Sequence, residues 1–276
     1  MTSERQGKEK AAAFRGEHHL GAQPLGDLVA LIEQTTGLDV AVLDASPDEH
    51  GLTMRDPTRD VAFIGVARTR NPMRQRSTLA HELAHVLFGD WNGDKDLGAR
   101  SPEETRADAF ARHLLVPGDG LEAFLGHRKG LTEADLSAVV QWFLVSPAIA
   151  AIALCDCRYI DTATKQEWKT LSTLQLATRF GWIDQYQSLQ NDADRARPPQ
   201  RLLARAISGY GEGVVTAQTI ATLRGVSAGA VVEELAEAGI TPKEHQPPWL
   251  TAANLPSVSV DLSDLQDDET PEGSAE

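Results

Sequence analysis

The chain has 276 residues, 41% of them hydrophobic, and a formal net charge of −14. That length is enough for a substantial core and one or two domains. The acidic balance argues against strong autonomous DNA binding, which rests on neutralising phosphates. No apolar run is long enough to span a bilayer, and residues 1–21 are polar with mixed charge. The sequence therefore predicts neither a signal peptide nor a membrane anchor. Cys155 and Cys157, separated by one residue, read as reduced thiols of a cytoplasmic protein.

Residues 1–20 read as a flexible leader. Residues 24–36 have the spacing of an amphipathic helix closed by Gly37. Residues 39–43 read as a strand, and residues 51–55 and 61–67 as a hairpin whose turn region is 56–60. A helix over about 72–88 comes next, followed by a polar loop through Gly93 and Gly98.

That helix carries His81-Glu82-Leu83-Ala84-His85, the HExxH pattern of zinc peptidases. Residues four apart on a helix are separated by only about 40° around the axis, so both imidazoles can grip one ion. Glu82 sits about 100° from His81, placed to handle a water proton without being a ligand. The pentapeptide alone is not specific, and a surface helix with two histidines would satisfy it. Leu79, Leu83, Val86 and Leu87, however, form an apolar stripe. The histidines and glutamate therefore lie beside a core face, where such groups need partners.

A catalytic zinc site usually has three protein ligands and one open position. Ser101-Pro102, followed by acids, starts a helix over about 102–116 that ends before Pro117. Glu104 and Asp108 share one of its faces, and small Ala107 and Ala111 allow close approach to the HExxH helix. Glu104 can supply the third ligand, with adjacent Glu103 as its rival. Asp108 can accept a hydrogen bond from a ligand histidine's other nitrogen.

The segments Thr78–Leu87 and Glu104–Pro117 together resemble the ImmA/IrrE metallopeptidases, a gluzincin-like family. The second segment is similar to that family's E-x-x-A-[DN]-x-F-A-x-x-L-L-M-P, with Val116 in place of the usual Met. The resemblance is good over about residues 20–125, weaker to about 165, and vague beyond. It implies that His81, His85 and Glu104 are zinc ligands and that Glu82 is the general base. It also suggests that strand 61–67 is a sheet edge beside the cleft, holding an extended peptide with Gly65 permitting close approach. The alternative for that strand is a plain core strand with a bulge.

After residue 128 the pattern is nearly all helical, and it contains two helix-turn-helix-like pairs, 139–150 and 220–231. Neither second helix offers a basic residue, and in the first pair Leu144 stands where the turn usually has glycine. Both read as packing hairpins. An amphipathic run covers 168–180, and Arg197-Pro198-Pro199 marks a boundary. His113 lies about half a turn out of phase with Glu104 and points away from the site. Residues 256–276 carry seven acids and no Lys or Arg, and read as disordered.

The predicted fold class is α+β: a small mixed sheet with zinc-bearing helices, followed by an all-helical C-terminal region. The expected organisation is a leader at 1–20, a metallopeptidase domain at 21–128, a helical region at 129–196, a helical module at 197–250 and an acidic tail at 251–276. The resemblance implies a zinc-dependent endopeptidase acting in the cytoplasm on a helix-turn-helix repressor of a prophage, mobile element or stress-response locus. It implies no membrane and no direct nucleic-acid partner. The alternative is a zinc-holding, partner-binding regulatory module with little hydrolytic activity.

Overall fold

The computed structural model describes residues 2–45, 51–56, 58, 61–91 and 101–243. The expected polar loop through Gly93 and Gly98 and the acidic tail at 251–276 lie outside these residues, as does most of the turn at 56–60. Helix α1 (Ser3–Glu17) precedes α2 (Leu28–Thr36), and three strands follow: β1 (Asp39–Leu43), β2 (Gly51–Asp56) and β3 (Val61–Ala67). Then come α3 (Pro72–Phe88) and α4 (Pro102–Leu115), and helices make up the rest of the described chain. The fold is α+β, with one three-stranded mixed sheet and a helical C-terminal region.

Residues 3–17, expected to be a flexible leader, form α1 instead. Its buried face is mostly small, Gly7 and Ala11 with Phe14 as the one large apolar residue, which a search for large-residue periodicity overlooks. An added Cβ on Gly7 would fall 2.3 Å from the Arg106 carbonyl oxygen and 2.7 Å from the Ala109 Cβ, so the α1 and α4 backbones nearly touch. Ala11 and Phe14 are buried in the main core. Arg15 donates from Nε to the Leu114 carbonyl and from Nη1 to those of Gly21 and Gln23, which ties the end of α1 to α4. Burial pushes this guanidinium down to about 10.

The sheet order is β1-β3-β2, with β1 parallel and β2 antiparallel to β3. Strand β3 is therefore the central strand, so of the two readings open for residues 61–67 the sheet edge is the one that falls. It is the most apolar of the three, with Ile64 and Val66 buried, and it pairs on both sides. An added Cβ on Gly65 would sit 3.1 Å from side-chain atoms of Leu43 and Phe63, so this glycine serves packing inside the sheet. Strand β2 lies at the edge. It presents Leu52 and Met54 to solvent and turns Gly51 and Thr53 towards α3, the period-two alternation of a half-covered strand.

Helices α2 and α3 pack on the sheet, and α4 packs on α3. Ala80, Ala84, Ala107 and Ala111 are all buried, and these small residues allow the two helices to lie close. The same core continues without a break into α5 (Gly118–Leu125), α6 (Glu133–Phe143), α7 (Pro147–Asp156), α8 (Thr162–Trp168), α9 (Thr173–Arg179) and α10 (Ile183–Ala193). Between α6 and α7, at a bend of 107°, Leu144 takes a left-handed φ of 54°, the conformation usually left to glycine in such a turn. The amphipathic run at 168–180 is split in two, because Ser172 and Gln175 form a capping box that starts α9 afresh. Helices α11 (Gln200–Gly211), α12 (Ala217–Arg224) and α13 (Ala228–Glu237) surround a smaller core of their own, centred on Ile220, Ala221, Val231 and Leu235. Among the described residues, no single helix is long and apolar enough to cross a membrane.

Candidate metal centre

Helix α3 starts cleanly because the Asn71 side chain caps the Arg74 N–H and Pro72 occupies the first turn. It stops at Gly89, whose left-handed φ of 72° lets its N–H close back on the last turn. Its buried stripe includes Leu79, Ala80, Leu83 and Ala84. His81 and His85 lie on the neighbouring strip that faces α4. Helix α4 is capped by Ser101 Oγ, which accepts from the Glu104 N–H itself at 3.3 Å. That fixes the first turn and the start of the Glu104 side chain.

The two helices bring three donors together. His81 Nε2 and His85 Nε2 are 3.0 Å apart. Glu104 places Oε2 3.0 Å from His81 Nε2 and Oε1 3.4 Å from His85 Nε2. Two ligands each about 2.0–2.1 Å from a zinc ion at a tetrahedral angle would lie about 3.3 Å apart, so the spacing suits one small cation. Glu104, rather than Glu103, is the carboxylate in this cluster.

The outer nitrogens each face a carboxylate. His81 Nδ1 is 3.0 Å from Asp108 Oδ1, and His85 Nδ1 is 3.4 Å from Asp90 Oδ2. Where each Nδ1 donates to its carboxylate, the neutral imidazole turns an Nε2 lone pair inwards. Two lone pairs and a carboxylate facing one another at 3.0–3.4 Å repel unless a cation or a proton sits among them. Burial alone would lower the His81 pKa. The hydrogen bond and charge of Asp108, with the charges of Glu104 and Glu82, outweigh burial and raise it. The imidazoles are largely covered, at 20% and 14% exposure, whereas the Glu104 side chain is 48% exposed, so the cluster opens on the Glu104 side.

Glu82 is held from the sheet. Thr53 Oγ1 donates to Glu82 Oε2 at 2.6 Å. A Cβ on Gly51 would fall 2.4 Å from Glu82 Oε1, so the carboxylate fills the space that a side chain there would need. The edge strand and the HExxH helix are thus fitted to each other at this residue.

The sequence reading located His81, Glu82, His85, Glu104 and Asp108, and the fold brings all five into one neighbourhood. It missed Asp90, Thr53 and Arg106. Asp90 follows Gly89 directly, and an acid just past the C-cap of a histidine-bearing helix was the available clue. Arg106 bonds Asp90 Oδ1 and lies over the Phe88 ring at 4.7 Å, which steadies the carboxylate behind His85. Thr53 comes from another element, and nothing local in the sequence links it to Glu82. His113 points away from the cluster, as expected, and its Nε2 is 3.2 Å from Glu4 Oε1 on α1. Burial and the neighbouring Arg112 charge lower its pKa. Cys155 and Cys157 are both free thiols.

Comparison with known proteins agrees with this geometry. Residues 36–155 match the family model of the IrrE N-terminal-like domain, Peptidase M78. That span begins at the end of α2 and runs to the last turn of α7, so it contains every residue of the cluster. No curated protein matches the chain. The domain at residues 36–155 belongs to the ImmA/IrrE metallopeptidase family.

Proposed function

We propose that the protein is a zinc-dependent endopeptidase of the cytoplasm that cleaves a helix-turn-helix repressor or a similar regulatory protein and so relieves repression. The observation that carries the peptidase reading is the convergence of His81, His85 and Glu104 beside a Glu82 anchored by the sheet. These three residues would hold the ion. When bound, zinc supplies Lewis-acid polarisation of a carbonyl and makes water more acidic.

The remaining work falls to the chain's own groups. Asp108 and Asp90 keep both imidazoles in the tautomer that presents Nε2 to the ion. Thr53 occupies one Glu82 oxygen and fixes the side chain, so that the carboxylate takes a proton from the attacking water and then delivers it to the leaving amine nitrogen. Strand β2, at the sheet edge and in contact with α3, offers main-chain groups on which an extended peptide can lie before it meets Glu82. The repressor as substrate, and its docking on the helical C-terminal region as the source of specificity, rest on the family resemblance.

The test uses the metal-loaded protein and repressors encoded beside its gene, in parallel with Glu82→Gln. Cleavage by the wild type and an intact repressor with the variant is the expected result. Binding without cleavage by either protein would leave the partner-binding module as the correct reading. Metal analysis of Glu104→Ala checks the ligand set, with loss of zinc expected.

A further inference from the structure

A cavity of about 540 Å³ lies on the far part of the HExxH helix, where α2, α3, the end of α10, the 195–198 connection, α11 and the start of the α12–α13 turn meet. Its walls are firmly held. Val42 and Arg197 exchange both backbone hydrogen bonds, at 2.8 and 2.9 Å. The Gln75 side-chain amide donates to the carbonyls of Ala67 and Ala193. The apolar surface of the cavity comes from core residues, among them Leu28, Val42 and Leu79.

The charge of this cavity runs against the rest of the molecule. In a chain of net charge −14, four arginines (Arg76, Arg195, Arg197 and Arg224) line it against two aspartates, Asp27 and Asp192. Two of the arginines are satisfied by carboxylates, Arg197 by Asp27 and Arg224 by Glu234. Arg76 is bonded to the carbonyl oxygens of Leu25, Gly26 and Leu144, partners that satisfy its N–H groups without cancelling its charge. Burial pushes this guanidinium down to about 10, with Asp27 opposing. The Arg195 side chain is exposed, and among the described residues it makes no hydrogen bond or ion pair.

We propose that this cavity is a binding site for a small organic anion, with an apolar body seated against Leu28, Val42 and Leu79 and one phosphate, sulfonate or carboxylate group facing Arg195 and Arg76. The volume suits a small molecule, and the mix of an apolar wall with a few fixed charges is that of a ligand site. Among the described residues Arg195 has its side-chain donors free, so it is the specificity-determining contact. The site is distinct from the metal cluster yet shares its helix: Gln75, Arg76 and Leu79 line the cavity, and His81 follows two residues later. A ligand here would touch the peptidase body and the α11–α12 segment at once.

Two dyes of nearly the same shape test the proposal on the full chain: 1-anilinonaphthalene-8-sulfonate, which is anionic, and N-phenyl-1-naphthylamine, which is neutral. Fluorescence titration is expected to show saturable one-to-one binding of the sulfonate. Its affinity should fall about tenfold or more in Arg195→Glu while the neutral dye is unaffected. Leu203→Trp, which fills the cavity from α11, should abolish binding of both, and Val226→Trp repeats that test from the α12–α13 turn if the first variant melts early. Absence of saturable sulfonate binding, equal loss of both dyes in Arg195→Glu, or unchanged binding in the filled variants would overturn it. None of these readouts depends on peptidase activity.

Discussion

The α3–α4 pair and the α12–α13 pair each carry a familiar spacing, but only the first has the side chains to match it. On α3 and α4 the HExxH spacing is answered by Glu104, Asp108 and Asp90, so each Nδ1 has a carboxylate partner and both Nε2 atoms face Glu104. On α12 and α13 the turn geometry is equally sound: Gly225 is left-handed at φ 65° and Ser227 caps α13. Yet α13 presents Val232, Glu233 and Glu237 where a DNA-reading helix would carry Arg, Lys, Asn or Gln. Spacing specifies a backbone, and chemistry depends on what the neighbouring element returns.

The comparison breaks most readily at Glu82. Glu82→Gln should lower peptide cleavage by about 10²–10⁴-fold with zinc content unchanged, as measured by single-turnover assays and metal analysis. Retained activity would mean that α3 owes its pattern to metal binding alone. Next in size, Asp108→Ala should weaken zinc binding by about 10–100-fold in a chelator competition. An unchanged affinity would show that the bond to His81 Nδ1 does not tune the site.

A third test addresses the scaffold behind α4. Gly7→Val forces a side chain into the Arg106 carbonyl, and should cost about 1–3 kcal/mol in denaturant unfolding. A fourth concerns the tie between the body and the 195–198 connection. Burial would raise the Asp27 pKa, but the Ala30 N–H and Arg197 together lower it. Its contribution to stability is therefore complete above the unfolded carboxylate pKa, near 3.9, and is lost as the pH falls through the lower folded value. Asp27→Asn should be less stable than the wild type at pH 7, and the two melting curves should converge in acid. The smallest effect belongs to α13: Glu237→Lys should shift stability by less than about 0.5 kcal/mol. The wild type should show no salt-resistant DNA binding in a mobility-shift titration. Tight sequence-specific binding would reverse the contrast between the two helix pairs.

What could be read in the sequence followed from local periodicity. The spans of α3 and α4, the register of Glu104 with Asp108, and the antiparallel β2–β3 pair are encoded in runs of a few residues with distinct caps. The errors came from features that only a partner element decides. Helix α1 buries glycine and alanine against α4, so its sequence looks polar and unstructured. Strand β3 is central because β1 joins it in parallel, a pairing that no local pattern announces. Thr53 reaches Glu82 across that same sheet geometry.

The brace between Arg15 and Leu114 spans 99 residues of chain. During synthesis at about 5–20 residues per second, α1 therefore waits about 5–20 s for the surface it packs on. Glu104 emerges on that same late helix, well after His81 and His85. The nascent chain thus holds two histidines that cannot yet close a three-donor site, and the segment that completes it also gives the first helix its seat. Metal capture and docking of the amino-terminal helix are in this sense timed by one element, α4.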